Sequence, residues 1–240
     1  MSENVKVFFE TDCGDIIWKI LPMDQDEIED FVKTLGVNPE SFDYMRNFDK
    51  LPLSRVTYEY SVDLLRNIQY TTDLSNFIMF NFAIRAWEDI GSYDYYKIEL
   101  YIEYLGEYLN PYEFINICMQ VDDIEAYSYD YESDTPEEGL AKTLHGYEIQ
   151  DWLWSYVDWY AMGENDADEY YLNEEYYMYS DCSEIDLTYY DFEDICDEYN
   201  FVLKDEDEYD DIKCLRVTEC DLVNFLIKGG DGFVDARATC

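Results

Sequence analysis

Residues 121–211 constrain the fold of this chain more than any other part of it. They include 31 Asp and Glu residues and only two basic residues, Lys142 and Lys204. Tyr, Phe and Trp alternate with the acids, as in the run EYYLNEEYYMYSD that begins at Glu169. Acidic tails usually lack the apolar residues that folding requires. Because this stretch has an aromatic residue in nearly every turn, it predicts a folded element that buries rings and exposes carboxylates.

The net charge of the chain narrows the classes of function that it can have. The formal net charge is −42 over 240 residues, and 48% of the residues are hydrophobic. That hydrophobic content is too high for a disordered protein. Nucleic acids and anionic membranes are bound by basic surfaces, so neither is an expected partner.

The size of the charge is compatible with a protein that imitates DNA. Duplex DNA carries one negative charge per ~1.7 Å of its axis, so a net charge of −42 corresponds to roughly 70 Å of duplex. Self-repulsion of this size destabilises a compact state, which indicates a use beyond solubility. The alternative is an acidic face that serves only solubility or a salt-rich habitat.

The sequence contains no motif that predicts catalysis. Glycine-rich phosphate and dinucleotide loops, the HExxH zinc motif and the GxSxG nucleophile motif are all absent. The single histidine, His145, precedes Gly146 and is expected at the C-terminal end of a helix. We therefore predict a protein that is not an enzyme, with no catalytic residue and no cofactor.

The spacing of cysteines and acids does not predict a metal site. An EF-hand calcium loop beginning at Asp166 would need acids where Tyr170 and Tyr177 stand. Zinc is not expected because no CxxC pair occurs among the seven cysteines, at positions 13, 118, 182, 196, 214, 220 and 240. We expect reduced, structural thiols in a cytoplasmic protein.

The N-terminal MSENVKVFFE lacks the regions of a signal peptide, and no apolar run is long enough to span a membrane.

Hydrophobic periodicity predicts an α+β fold, arranged as an elongated chain of small subdomains with an acidic surface. Residues 5–9 and 16–20 predict a hairpin around the turn TDCGD, and Asp24 with Glu27 predicts a capped helix that ends at Gly36. An aromatic segment at 147–162 is expected to end at Gly163. Further helices are predicted at 73–87, 94–108, 110–120, 135–144, 189–199 and 220–227, and strands at 121–131 and 212–217. The predicted subdomains are 1–60 (α+β), 61–120 (mainly helical) and 121–240 (acidic and aromatic-rich, with a solvated loop at 205–211 and a frayed tail at 229–240).

Helical spacing brings several acids onto one stripe. On a helix over residues 189–199, Glu193, Asp194, Asp197 and Glu198 are neighbours about 5–6 Å apart, and such like-charge pairs weaken a helix by about a few tenths of a kcal/mol each. A basic groove that binds the stripe would explain this cost. The predicted DNA-mimic surface comprises Asp24, Asp26, Glu27, Asp30, Asp122, Asp123, Glu125, Asp130, Glu132, Glu137, Glu138, Asp166, Asp168, Glu169, Glu174, Glu175, Asp186, Asp191, Glu193, Asp194, Asp197 and Glu198.

Two segments are similar to the ArdA antirestriction proteins. The segment IIWKILPMDQDEIEDFVKTLGVNPESFDYMRNFDKLP resembles their N-terminal part, in which a Trp, a Pro and an acidic helix ending at Leu-Gly precede a Leu-Pro. The segment GLAKTLHGYEIQDWLWSYVDWYAMGEND is similar to their C-terminal region. The positions of its Tyr-(Ile/Val)-Asp-aromatic, Ala and Gly are occupied here by Tyr156, Val157, Asp158, Trp159, Ala161 and Gly163. Together the segments cover about a quarter of the chain.

The resemblance implies a plasmid-, transposon- or phage-borne protein that mimics bent B-form DNA inside the host cell. Its implied partner is a type I restriction-modification enzyme, whose DNA groove it would occupy. The resemblance also implies an elongated homodimer formed through the C-terminal region, and we expect that contact near residues 147–163, at Tyr147, Trp152, Trp154, Tyr156 and Trp159. This chain is longer than typical family members, and the added part corresponds to residues 164–240.

Two other functions stay open at this point. An anti-CRISPR DNA mimic that blocks a Cas effector would need the same acidic surface, and phage challenge of cells carrying each defence system would separate the two targets. An acidic cation-binding or structural protein belongs to a different class. Calcium titration by calorimetry would reveal it through stoichiometric, saturable heats.

Overall fold

The chain begins with the antiparallel hairpin that the sequence predicts. The structure is a computed structural model that describes residues 5–106, 108–180 and 185–202. Strands β1 (Val5–Thr11) and β2 (Ile16–Leu21) are joined by a turn in which Gly14 has a φ of +85°, a conformation that favours glycine. The other edge of β1 pairs with β3 (Leu53–Glu59), which gives the antiparallel order β2-β1-β3.

Helices and a second small sheet complete the described part of the chain. The α-helices are α1 (Gln25–Thr34), α2 (Phe77–Asp89), α3 (Tyr95–Leu105), α4 (Pro111–Met119), α5 (Pro136–His145), α6 (Trp159–Asp166) and α7 (Phe192–Glu198). The second sheet has the antiparallel order β4-β6-β5 and comprises β4 (Ala126–Ser128), β5 (Tyr170–Leu172) and β6 (Tyr176–Tyr179). The predicted α+β fold class is confirmed.

Contacts between residues divide the chain into two units. Unit 1 comprises the described residues up to Arg66, residues Tyr70–Arg85 and the described residues from Asp191 on, whereas unit 2 comprises Asn67–Gln69 and Ala86–Tyr190. These limits differ from the boundaries that the sequence predicts near residues 60 and 120, and the division into three subdomains stays a prediction. Several predicted features lie outside the described residues, namely the loop at 205–211, the strand at 212–217, the helix at 220–227 and the tail at 229–240.

The core of unit 1 forms between its sheet and α1. Asp24 caps α1 and exchanges hydrogen bonds with Glu27 in the predicted capping box. The apolar side of α1 then faces inward, and Phe31 is fully buried. The ring of Phe9, on β1, lies 4.4 Å from that of Phe31 and 5.1 Å from that of Phe77, at the start of α2. Alternation along β1 and periodicity along α1 therefore build one aromatic core.

Two helices of unit 2, α4 and α5, begin directly after capping residues, at the starts that the sequence predicts. The side chain of Asn110 accepts a hydrogen bond from the backbone N–H of Glu113 at the start of α4, and Glu113 bonds back to the N–H of Asn110. Thr135 caps α5 by accepting from the backbone N–H of Glu138 at 3.2 Å. Each cap satisfies backbone donors that have no partner inside the helix.

Two predictions about unit 2 are corrected by the structure. Residues 121–131 are not one strand, because Val121–Asp123 form a 3-10 helix and only Ala126–Ser128 are extended. Gly163 does not end the aromatic segment but lies inside α6, after a 3-10 helix at Asp151–Tyr156. A Cβ atom on Gly163 would lie 1.9 Å from the carbonyl oxygen of Glu137 in α5. The glycine is thus required because the backbones of α5 and α6 are in contact at this point.

Candidate acidic binding surface

None of the carboxylates predicted for the DNA-mimic surface lies in the core. Glu137, Glu138 and Asp166 are half-buried, and all the others are exposed. Those at positions 24–30 and 191–198 belong to unit 1, whereas those at positions 122–186 belong to unit 2. Each unit therefore has its own set of predicted surface acids, and we describe the two sets in turn.

In unit 1, α7 carries an acidic stripe, which we define as the exposed residues Glu193, Asp194, Asp197 and Glu198. The opposite side of the helix buries Ile195 and Cys196. Asp191 begins the helix, and its carboxylate accepts hydrogen bonds from the backbone N–H groups of Glu193 and Asp194, at 2.8 and 3.0 Å. The short predicted helix thus forms, with its apolar and acidic residues on different sides.

The two ends of the stripe differ in their effect on helix stability. Asp194 lies in the first turn and accepts a hydrogen bond from the backbone N–H of Asp191, where the partial positive charge of the helix favours an acid. Asp197 and Glu198 lie in the last turn, which has no basic residue and where the carbonyl groups carry partial negative charge. These two carboxylates lower the stability of the helix, so neither core packing nor helix capping explains why acids occur at these two positions.

Aromatic rings fix the stripe to the core of unit 1. Tyr199 follows α7 directly and stacks on Phe82 of α2, with ring centroids 5.4 Å apart. The ring of Phe201 lies 5.3 Å from that of Phe82 and 6.0 Å from that of Tyr44. The guanidinium of Arg85 lies over the Tyr199 ring at 5.7 Å, a cation–π arrangement. α7 is therefore held at its C-terminal end by buried rings.

The chain that leaves α7 reaches the acidic start of α1. The backbone N–H of Val202 donates a hydrogen bond to Oε1 of Gln25, at 3.1 Å. Gln25 is the first residue of α1, and the exposed acids Asp26 and Glu27 follow it in the first turn. The structure thus connects the two acidic helices of unit 1, although more than 150 residues separate them in the sequence.

The thiol of Cys196 responds to the charge around it. Burial, the largest cause, and the neighbouring carboxylates of Asp197 and Glu193 together raise the pKa of this thiol to about 12. A thiolate would be repelled by these carboxylates, just as another anion would.

In unit 2 several of the predicted surface acids lie near a group of tyrosines. We define the tyrosine face as Tyr127, Tyr129, Tyr170, Tyr177 and Tyr179, which lie on or beside one face of the sheet β4-β6-β5. Tyr177 is buried at the centre, with its ring centroid 5.6, 5.5 and 5.7 Å from those of Tyr127, Tyr129 and Tyr170. Tyr127 and Tyr179 are 46% and 38% exposed, so the face is open to a partner at its margins.

Burial and nearby carboxylates raise the pKa of three phenols of the tyrosine face, those of Tyr129, Tyr170 and Tyr177. Burial is the largest cause that raises the pKa of Tyr129 and of Tyr177, and the carboxylates of Glu137 and Asp130 respectively add to it. The pKa of Tyr170 is raised by burial, by a hydrogen bond with Tyr179 and by Glu169. The face therefore presents neutral rings next to acids, which is the combination that binds cationic side chains.

We expect these raised pKa values to make unit 2 sensitive to alkaline pH. A phenol whose folded pKa lies above its unfolded value of about 10 adds stability that is complete below that pH and is lost as the pH rises through the folded pKa. Base titration followed by absorbance of tyrosinate and by circular dichroism should show delayed ionisation coupled to unfolding. Tyr177→Phe, which keeps the ring and removes the ionising group, should reduce this pH dependence; an unchanged profile would contradict it.

Four of the predicted surface acids of unit 2 have local structural partners, and one of them, Asp130, accepts a hydrogen bond from the hydroxyl of Tyr147 at 3.0 Å. The carboxylate of Asp166, in α6, lies 2.9 Å from Nε2 of His145, the last residue of α5. Glu138 lies 3.7 Å from the ammonium group of Lys142 on the same helix. Asp186 accepts hydrogen bonds from the backbone and hydroxyl of Thr188, and the backbone bond is the largest cause that lowers its pKa. These acids are less available to a partner than the exposed ones.

The residues predicted for the dimer contact fall into two groups. Tyr147, Trp152 and Tyr156 are 77%, 67% and 81% exposed. Trp159 is only 6% exposed, and its indole N–H donates to the carbonyl oxygen of Trp154 at 3.1 Å. The two indole rings lie 4.9 Å apart. Trp154 and Trp159 thus pack against each other within unit 2, whereas the side chains of Tyr147, Trp152 and Tyr156 are exposed.

Within residues 5–106, 108–180 and 185–202, no group of three or more His, Cys, Asp and Glu side chains is arranged to hold a metal ion. The helices of this part of the chain are all too short or too polar to cross a membrane. Cys13 is exposed, whereas Cys118 and Cys196 are buried free thiols.

Comparison of the chain with protein-family models, with curated proteins and with solved structures finds no match.

Proposed function

We propose that this protein is a DNA mimic that inhibits a DNA-binding defence complex by occupying its basic groove. The proposed target is a type I restriction-modification enzyme, and the proposed location is the cytoplasm of the host cell. Inhibition would be competitive and would require no catalysis, because the mimic and the DNA bind the same Lys and Arg side chains of the target.

The observation that carries the proposal is the acidic stripe on α7. Its carboxylates project from a helix whose exit is anchored by Tyr199 and Phe201, so their positions are set before a partner arrives. Two of them destabilise the helix on which they lie, as explained above. Fixed anions of this kind can replace phosphates for a protein that reads the DNA backbone, since most contacts to DNA are made to its phosphates.

The tyrosine face supports the same function in a second way. Arg and Lys side chains that line a DNA groove carry a positive charge, and aromatic rings attract such charges by cation–π interaction. Tyrosine also supplies rigid contact area at low cost in conformational entropy. Neutral rings beside Asp130 and Glu169 are therefore suited to a cationic partner.

The resemblance to the ArdA antirestriction proteins favours a type I enzyme as the target. The residues that carry it include Trp18 before the Pro of the first segment and Tyr156, Asp158 and Gly163 of the second. An anti-CRISPR role would use the same charge, and no particular residue favours it. The type I enzyme is thus the partner to test first, with a Cas effector as the second arm of the same assay.

Competition with labelled duplex DNA for a purified type I methyltransferase core would test this function. We expect displacement of the DNA at low salt, with an affinity that falls roughly 10- to 1,000-fold between about 50 and 200 mM salt, because counterions compete for the cationic groove. Fluorescence anisotropy of the duplex measures it directly. Displacement that does not depend on salt, or no displacement from either the methyltransferase or a Cas effector, would contradict DNA mimicry.

A further inference from the structure

The outer face of the β2-β1-β3 sheet differs from the acidic regions described above. Ile16, Trp18 and Ile20 of β2 are 69%, 59% and 42% exposed and alternate along the strand, so all three lie on that face. Trp18 lies opposite Phe8 of β1 in the register of the sheet. An apolar row of this kind at a sheet margin is characteristic of an interaction surface.

The backbone of β2 is also available along this margin. β2 is an outer strand in the order β2-β1-β3, and no described strand pairs with its other edge. The backbone N–H of Thr11 donates to the carbonyl of Asp15, at 2.8 Å, which makes 11 and 15 a hydrogen-bonded pair. Since hydrogen-bonded and non-hydrogen-bonded pairs alternate in an antiparallel hairpin, the N–H and C=O groups of residues 16, 18 and 20 point away from β1.

The charges on this face cancel, in contrast with the rest of the chain. Lys6 of β1 lies 3.8 Å from Glu59 of β3, and Glu10 is opposite Arg55 in the register of the same two strands. Two copies that each carry a net charge of −42 repel each other over most of their surface. A second copy can approach most closely at a neutral, apolar face.

We propose that β2 is the contact of a two-fold symmetric homodimer, in which β2 strands from two copies pair antiparallel and join their sheets into one. Pairing centred on Trp18 gives the greatest overlap of apolar residues, because it places Trp18 opposite Trp18 of the second copy and Ile16 opposite Ile20. Such a contact is isologous, as in most homodimers. It covers an edge with which no described strand pairs, and unpaired edges are prone to non-specific pairing.

The pairing is also balanced in charge. One row of facing residues runs across the joined sheet from one copy to the other. It consists of Arg55, Glu10 and Ile16 of the first copy, followed by Ile20, Lys6 and Glu59 of the second. The two positive and two negative charges of this row sum to zero. The contact is distinct from Tyr147, Trp152 and Tyr156 of unit 2, where the resemblance leads us to expect a dimer. The two surfaces can therefore be tested against each other in the full chain.

Charge substitutions at position 18 test the two-fold pairing. Trp18→Glu should weaken self-association about 100-fold or more, because two like charges would face each other across the symmetry axis. Trp18→Lys should do the same, whereas an equimolar mixture of the two variants should associate again. Sedimentation equilibrium over a range of concentrations measures the dimer constant, and circular dichroism checks that each variant is folded.

Tyr156→Glu is the matched control, because it places the same charge on an exposed aromatic residue of the other surface and should leave the dimer constant unchanged. Added salt should strengthen the dimer, because it screens the repulsion between two acidic copies. Added salt should instead weaken binding to a basic DNA groove. Failure of the dimer proposal is therefore distinguishable from failure of the proposed DNA mimicry. Any of four results would overturn the β2 contact. The protein could be a monomer at all concentrations and salt levels, or the folded Trp18 variants could still dimerise. The mixture of the two variants could fail to reassociate, or the dimer could be lost only in Tyr156→Glu.

Discussion

Inhibition of the target should fall about 100-fold when the acidic stripe is neutralised by Glu193→Gln, Asp194→Asn, Asp197→Asn and Glu198→Gln together. Exposed ion pairs contribute about 0.2–1 kcal/mol each, so four pairs near the upper part of this range amount to roughly 3 kcal/mol, or about 100-fold in affinity. The fold should be retained. Asn at position 194 keeps an oxygen acceptor for the N–H of Asp191, and removal of like charges from the last turn relieves repulsion.

A variant with the same net charge separates position from charge. Asp12→Asn, Asp15→Asn, Glu40→Gln and Asp49→Asn together remove four charges from exposed positions of unit 1 that lie outside the predicted surface. Competition binding at one salt concentration compares the two variants. We expect the control to lose only a few-fold in affinity; equal losses in both would mean that total charge, not the geometry of α7, governs inhibition.

Gly163→Ala should lower the free energy of unfolding by about 2–4 kcal/mol. The new methyl group would lie 1.9 Å from the carbonyl oxygen of Glu137, and backbone atoms cannot give way as a flexible side chain can. α5 and α6 must therefore separate, with loss of the packing between them and strain on the His145–Asp166 pair that joins them. Urea unfolding followed by circular dichroism measures the change.

Gly91→Ala serves as the control for this substitution. A Cβ atom at Gly91 has no neighbour within 4 Å, and the residue is exposed in the same unit. We expect it to be neutral or to add up to about 1 kcal/mol by restricting the unfolded chain. If Gly163→Ala unfolded at the same urea concentration as Gly91→Ala, the close approach of α5 and α6 would be disproved.

The features that the sequence could predict are those encoded within a few residues. The hairpin of β1 and β2 depends on alternation and on Gly14, and α1, α4 and α5 begin at Asp24, Asn110 and Thr135, whose side chains cap the next turn. α7 follows in the same way from Asp191 and the spacing of its acids. Exposure of the predicted carboxylates was also foreseeable, since a charge rarely stays buried without a partner.

The features that were missed depend on contacts between distant residues. Strands β5 and β6 pair with each other in a run where tyrosines and acids do not alternate, and the third strand of their sheet, β4, which pairs with β6, lies over 40 residues earlier. The sequence predicts that Gly163 ends the aromatic segment, but the residue lies inside α6, where the backbones of α5 and α6 are in contact. Trp159 matches an expected interface position yet is buried against Trp154, because no local signal distinguishes an aromatic residue of the core from one of an interface.

The return of the chain to unit 1 has a consequence for biosynthesis. Phe82 cannot contact its ring partners, Tyr199 and Phe201, until more than a hundred further residues have been synthesised. Unit 2 is almost entirely continuous in sequence and has all its residues by Tyr190, so it can mature first. The acidic helix α7 can consequently join the core of unit 1 only after all of unit 2 has been synthesised.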